Sequence, residues 1–157
     1  MRQWYRSALP VVAGILLALV SDATAQQRPY SPGLGDLMTM TVQPRHAKLG
    51  VAGREANWRY ADYELHELKE AFDRAAKAWP KWRTFSIPEM LASVTKEPIA
   101  ALDQAIKARD PGRFATAYEQ LTEACNICHR SADRGIIVIQ PPQASTFPNQ
   151  DFRPAKE

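Results

Sequence analysis

The sequence has only two cysteines, and both lie in one short stretch, from Cys125 to Cys128. A structural zinc site of the Cys₄ or Cys₃His type therefore cannot be assembled from this chain. The formal net charge is only +3, and no basic cluster is interleaved with aromatic residues. This charge is too mild to indicate nucleic-acid binding, so we expect no nucleic-acid partner.

The chain also lacks an apolar run of the roughly 20 residues that a transmembrane helix needs. The run from Ala8 to Val20 is shorter, follows Arg2 and Arg6, and precedes the small-x-small sequence Ala23-Thr24-Ala25. This order is typical of a secretory signal peptide, so we expect residues 1–25 to be removed after Ala25 and the protein to be periplasmic. Retention of the segment as an anchor is the alternative.

Removal of residues 1–25 takes away two arginines and one aspartate, which lowers the formal net charge from +3 to +2. The rest of the chain has the length and composition of one globular domain. It contains no convincing run of alternating strand residues, and four helical patterns are present instead. These patterns run from Gly35 to Ala52, from the residue after Asn57 to the Trp79-Pro80 step, from the N-cap Ser86 through Ile106, and from the N-cap Asp110 to Ala132.

Prolines and glycines are expected to bend or end these helices. Pro44 lies inside the first pattern, where a proline kinks a helix or moves its start. Gly53 and Gly135 are natural stops for the first and the last helix. Pro98 is expected to bend the third helix.

Four amphipathic helices joined by short turns predict an all-α fold, an antiparallel up-down four-helix bundle with an irregular C-terminal tail. We expect residues 26–135 to form the bundle and residues 136–157 to form the tail. The tail starts with Ile136-Ile137-Val138-Ile139, which is too apolar to stay free of the bundle and is expected to pack back onto it.

The sequence Cys125-Asn126-Ile127-Cys128-His129 has the form C-x-x-C-H, the attachment pattern of haem c. In this pattern the two thiols add to the haem vinyl groups and the adjacent imidazole binds the iron. On a helix, Cys125 and Cys128 lie one turn apart, and His129 follows Cys125 by four residues on the same side. The sequence therefore predicts one covalently bound haem c with His129 as its proximal ligand.

Two other interpretations of the cysteine pair are open. A lone pair in an exported protein can form a simple disulfide, and C-x-x-C can be the site of a thiol-disulfide oxidoreductase. Neither explains the adjacent histidine as well as haem does. A redox C-x-x-C also belongs at a helix N-terminus in a βαβ unit, whereas this pair lies near the end of the last helix.

An exported four-helix bundle with C-x-x-C-H on its last helix resembles the class II c-type cytochromes, the cytochrome c-prime group. The resemblance covers about Leu34 to Asp133. It implies a haem between the helices, with His129 on the proximal side and a residue of the first helix facing the distal side. It also implies a homodimer contact, for which the exposed Tyr60 and Tyr63 are candidates, although ordinary core packing explains both tyrosines as well. The chain departs from the family in running on to Glu157 and in having Pro44.

The position of His129 suggests which residue faces the iron. In an up-down bundle the C-terminal end of the last helix lies level with the N-terminal end of the first. Counting inward from that end reaches Met38 or Met40. Met38 shares a face with Val42, so we expect Met38 as the distal ligand, with Met40 and then Met90 as the next candidates.

The other two histidines are expected at the surface. His46 lies roughly two turns from the level of His129, on the order of 10 Å away. It is flanked by Arg45 and Lys48, which predicts a solvated position. His66 lies on the outward side of the second helix.

Ligation by His129 and Met38 predicts a one-electron carrier that serves redox partner proteins. The alternative is a pentacoordinate haem that binds small gases such as NO or CO, as cytochromes c-prime do. A peroxidase would need a distal base and a charge stabiliser, for which His46 and Arg45 are the visible pair. The expected distance of that pair from the iron argues against an enzyme.

Overall fold

The computed structural model describes residues 30–155, and this part of the chain is mostly helical. The predicted signal peptide and its cleavage site lie outside the described residues. None of the described helices is long and apolar enough to cross a membrane. In chain order the elements are α1 (Leu34–Leu37), a π-helical turn (Met38–Val42), α2 (Gln43–Arg54), α3 (Trp58–Ala78), β1 (Lys81–Trp82), β2 (Phe85–Ser86), α4 (Ile87–Ala108) and α5 (Pro111–Ser131).

The first helix is continuous from residue 34 to residue 54, but it widens into a π-helical turn just before Pro44. Proline has no N–H to donate, and its ring clashes with the carbonyl four residues earlier in a regular α-helix. The backbone N–H of Gln43 instead donates to the carbonyl of Met38, five residues back. The wide turn thus accommodates Pro44 without breaking the helix, and it contains Met38 itself.

Three helices begin where the sequence predicts, because a polar side chain caps each of them. Asn57 accepts from the N–H of Tyr60, and Ser86 accepts from the N–H of Glu89. Asp110 accepts from two backbone N–H groups at the start of α5, directly before the proline at its first position. Such caps satisfy donors that would otherwise lack a partner. The α4 helix runs through Pro98 to Ala108.

Both predicted glycine stops are wrong. The left-handed residues that follow α2 and α5 are Ala56 (φ 53°) and Asp133 (φ 58°), and no described glycine has a positive φ. Gly53 lies within α2, at a position where a side chain would collide with Phe114 of α5. Gly135 lies beyond the end of α5.

A short antiparallel hairpin between α3 and α4 was not predicted either. Lys81 pairs with Ser86, and Trp82 pairs with Phe85. Each strand has only two residues, which is too short for the alternation that identifies a strand in a sequence.

The helices pack in the order of the chain, and α5 also contacts α2. The fully buried leucines come from all four helical stretches: Leu49, Leu65, Leu68, Leu102 and Leu121. The described part of the chain is therefore an all-α domain with one small hairpin.

The C-terminal segment contacts the helices at several points. Phe152 is only 4% exposed and packs against Tyr60 and Phe147. The side-chain amide of Asn57 donates to the carbonyls of Phe152 and Arg153.

Candidate functional site

A cleft of about 250 Å³ brings together residues from every helical stretch, from β1 and from the C-terminal segment. This volume is close to the lower bound of about 300 Å³ for small-molecule pockets. Its lining is mostly apolar, and the side chains of Val42, Phe72, Leu91 and Val94 contribute to it. Cys125, Cys128 and His129 line the same cleft, so the whole C-x-x-C-H chemistry faces one apolar space.

The His129 imidazole is oriented by the C-terminal segment. Its Nδ1 lies 2.9 Å from the carbonyl oxygen of Ile137, and since a carbonyl only accepts, the Nδ1–H is the donor. A neutral imidazole protonated at Nδ1 carries its free electron pair on Nε2. The geometry therefore prepares Nε2 as the ligand atom for a metal.

The carbonyl that orients His129 belongs to a segment held by Asn126. The Asn126 amide donates to the carbonyl of Ile139 at 2.9 Å, and its Oδ1 accepts from the N–H of Ile139 at 2.8 Å. Ile137 and Ile139 both line the cleft. One of the two residues between the cysteines is thus hydrogen-bonded to the C-terminal segment that lines the cleft.

Both cysteines are free thiols and partly buried. Burial, with a smaller contribution from Cys128, raises the pKa of Cys125 to about 12, and burial also raises the pKa of Cys128. A thiol-disulfide oxidoreductase needs a lowered thiol pKa, because the thiolate is the nucleophile. The apolar surroundings of this pair therefore disfavour a thiol-redox site.

The three candidate methionines differ in their position. Met38 is partly buried and lines the same cleft as His129. Met40 is 60% exposed. Met90 is partly buried and is not among the residues that line the cleft.

The prediction that His46 lies at the surface is wrong. Its side chain is only 4% exposed and lines the cleft. Its charged neighbour Arg45 does not bring it to solvent, because Arg45 points instead to α3 and pairs there with Glu64 and Glu67. His66 is exposed, as expected.

Both ring nitrogens of His46 have partners on α5. The Thr122 hydroxyl donates to the Tyr118 carbonyl, so it accepts from Nε2–H of His46 at 3.0 Å. The Tyr118 hydroxyl donates to the His46 carbonyl at 2.8 Å and lies 3.0 Å from Nδ1. Burial lowers the pKa of His46 to about 4, so the ring is neutral at pH 7.

These contacts disfavour the peroxidase interpretation. A distal base needs a ring nitrogen that can reach a substrate proton, and both nitrogens of His46 lie 3.0 Å from hydroxyl oxygens of α5. The intended charge stabiliser, Arg45, is bound to two carboxylates on the other side of its helix.

Two glycines bring α2 close to α5 and so place His46 beside Tyr118. A Cβ atom on Gly50 would lie 2.5 Å from the Tyr118 ring, and one on Gly53 would lie 2.0 Å from Phe114. Sequence reasoning missed this contact, although the spacing of His46, Gly50 and Gly53 marks one helix face. No pattern in the sequence indicates the roles of Asn126 and Ile137.

Within residues 30–155 no group of three or more His, Cys, Asp or Glu side chains is arranged to hold a metal ion. Haem iron takes only one or two protein ligands, so this finding bears on bare metal ions rather than on haem. A comparison of the chain with known family models, curated proteins and solved structures finds no match.

Proposed function

We propose that the protein is an exported c-type cytochrome that carries one covalent haem c and transfers single electrons. The observation that carries this proposal is the placement of Cys125, Cys128 and His129 on one apolar cleft, with Nδ1 of His129 donating to a carbonyl. An apolar cleft with two thiols and a prepared imidazole nitrogen is the donor set that haem c requires. When bound, the haem supplies the one-electron chemistry of its iron.

Different residues of the cleft would hold different parts of the haem. Cys125 and Cys128 would anchor it covalently, and His129 would be the proximal ligand. Arg134 is the only permanently charged side chain among the described residues that line the cleft, and it would offset the charge of the haem carboxylates.

We propose Met38 as the distal ligand. It lines the cleft and comes from the π-helical turn of the first helix, whereas Met40 is largely exposed. His46 is a poorer candidate, because both of its ring nitrogens lie 3.0 Å from hydroxyl oxygens of α5, one of which a metal would have to displace. Ligation by histidine and methionine raises the reduction potential and suits a carrier.

The remaining features of the proposal concern arrangement and location. Packing of α2 on α3, α3 on α4, α4 on α5 and α5 on α2 supports an antiparallel up-down bundle of the class II cytochrome type. The N-terminal sequence supports export to the periplasm with cleavage after Ala25. Redox partner proteins are the partners that follow from this function.

A homodimer through the first two helices is a further part of the proposal. Tyr63 is 49% exposed and is available for such a contact. Tyr60 was expected to be exposed, but its ring packs against Phe152 and its hydroxyl donates to Glu64.

Gas binding is the second candidate function. The apolar side chains of Val42, Leu91 and Val94 on the cleft favour it, since they offer the iron no ligand and would admit a small uncharged gas. This candidate replaces electron transfer if Met38 does not bind the iron.

The two functions are separated by absorption spectra of protein matured in a host that attaches haem c. We expect a low-spin spectrum that carbon monoxide does not change and a reversible one-electron titration. Met38→Ala should give a high-spin iron that binds carbon monoxide, while Met40→Ala, at the exposed position, should behave like the wild type. A wild-type protein that is high-spin and binds carbon monoxide would replace electron transfer by gas binding.

A further inference from the structure

We infer that Asn126 is a positioning residue for His129, acting through the backbone of the C-terminal segment. This inference rests on the proposed function, because it concerns the residue that would bind the haem iron. It adds a role for one of the two variable positions of the C-x-x-C-H sequence.

The first step is the contact between Asn126 and Ile139. A primary amide has one acceptor oxygen and two donors on the nitrogen, so it can pair with the N–H and the C=O of one residue at the same time. Asn126 does so, at 2.8 Å to the N–H and 2.9 Å to the carbonyl of Ile139. The side chain thus takes the place of a neighbouring strand and fixes the position of this backbone.

The second step is that little else holds the segment at this point. Ile136 and Val138 are 93% and 73% exposed, and Ile137 is half exposed. The N–H of Ile137 donates to the carbonyl of Arg134. This hydrogen bond closes a local turn that lies after the end of α5. Apart from the hydrogen bond of His129 itself, the two hydrogen bonds of Asn126 are the polar attachment of residues 136–139 to α5 in the described structure.

The third step leads to His129. The Ile137 carbonyl that accepts from Nδ1–H lies only two residues before the residue that Asn126 holds. A hydrogen bond from the second nitrogen of a ligating histidine fixes its ring orientation and raises its basicity. If the segment moves away, His129 loses this partner, becomes a weaker electron donor to the iron, and the ferrous state is favoured.

The test compares Asn126→Ala with Ile127→Ala, which changes the other variable position of the same motif at a 40% exposed side chain. Two quantities are measured on each full-length, haem-loaded protein: amide hydrogen exchange at Ile139 and the midpoint reduction potential. Asn126→Asp is interpreted through exchange alone, since it keeps the acceptor for the Ile139 N–H and removes the donor, but its added negative charge would itself lower the potential.

For Asn126→Ala we expect exchange at Ile139 to be roughly tenfold faster, as follows from the loss of two hydrogen bonds. The midpoint potential should rise. Asn126→Asp should speed exchange by less, and Ile127→Ala should leave both quantities unchanged.

The possible failures are distinguishable. Unchanged exchange in both Asn126 variants, with an unchanged potential in Asn126→Ala, would overturn the inference and leave the proposed function standing. Faster exchange with an unchanged potential would also overturn it, because Asn126 would then hold the segment without acting on His129. A wild-type chain that carries no haem after maturation would overturn the proposed function and the inference together.

Discussion

His46 is held neutral inside the domain by its surroundings rather than by its sequence neighbours. It is buried against Tyr118, whose ring stacks on it with centroids 4.7 Å apart, and its ring nitrogens each lie 3.0 Å from a hydroxyl oxygen of α5. No charged group compensates for burial, so the pKa falls to about 4. A folded-state pKa below the unfolded value of about 6.5 means that the unfolded chain binds a proton first as the pH falls.

We therefore expect the free energy of unfolding to decrease as the pH falls from about 6.5 to about 4, by about 3 kcal/mol from this residue. Denaturant unfolding at several pH values measures it. In His46→Gln this part of the pH dependence should be absent, while the exposed His66→Gln should retain it. An identical pH profile for His46→Gln and the wild type would show that His46 titrates normally.

At this scale the sequence identifies the reactive residues but not their environment. Cys125, Cys128 and His129 are recognisable because their chemistry requires a fixed local spacing. The burial of His46 is not recognisable, because Arg45 and Lys48 suggest a solvated face and the carboxylates that bind Arg45 come from another helix. The hydrogen bond from His129 to the Ile137 carbonyl depends on the position of the C-terminal segment, which no local pattern in the sequence predicts.

At the level of the helices, the close approach of α2 and α5 depends on two glycines. Gly53 has no room for a Cβ atom, which would lie 2.0 Å from Phe114, a residue that is itself buried. The approach is what allows His46 on α2 to reach Tyr118 and Thr122 on α5.

We expect Gly53→Ala to destabilise the protein by about 2 kcal/mol, because overpacking forces the two helices apart. Gly35→Ala is the matched control, since a Cβ there meets nothing within 4 Å. That control should be neutral or stabilise by up to about 1 kcal/mol, as expected for alanine in a helix. Equal midpoints of thermal or denaturant unfolding for the two variants would contradict the packing described here.

The starts of α3, α4 and α5 and the end of α3 at the Trp79-Pro80 step could be predicted, whereas the ends of α2 and α5 could not. A start depends on a cap next to the helix in the sequence, as at Asn57 and Asp110, so the signal is local. An end at a left-handed alanine or aspartate, such as Ala56 or Asp133, is not marked by the glycine that usually signals such an end in a sequence. The π-helical turn before Pro44 could be predicted only in part. The proline indicates that the helix is distorted, but it does not indicate that the distortion is a π-helical turn.

At the scale of the whole molecule, the C-terminal segment contributes to the core as well as to the site. Phe152 is buried between Tyr60 and Phe147, far along the chain from the helices it contacts. The sequence predicts an apolar start of the tail but does not predict that an aromatic near its end is buried.

We expect Phe152→Ala to lower the free energy of unfolding by about 3 kcal/mol, the cost of removing a buried phenylalanine. Ile136→Ala, at a side chain that is 93% exposed, should change it by less than about 0.5 kcal/mol. Guanidinium titrations of both variants measure the difference. A Phe152→Ala protein as stable as the wild type would show that the end of the tail does not belong to the folded domain.

The central claim, a haem bound covalently through Cys125 and Cys128, is tested most directly by the intact mass of the denatured protein after maturation. The account predicts one haem added per chain in the wild type. The double variant Cys125→Ser/Cys128→Ser should have the mass of the polypeptide alone. A wild-type chain that also has only the polypeptide mass, with its two cysteines as thiols or as a disulfide, would contradict the account.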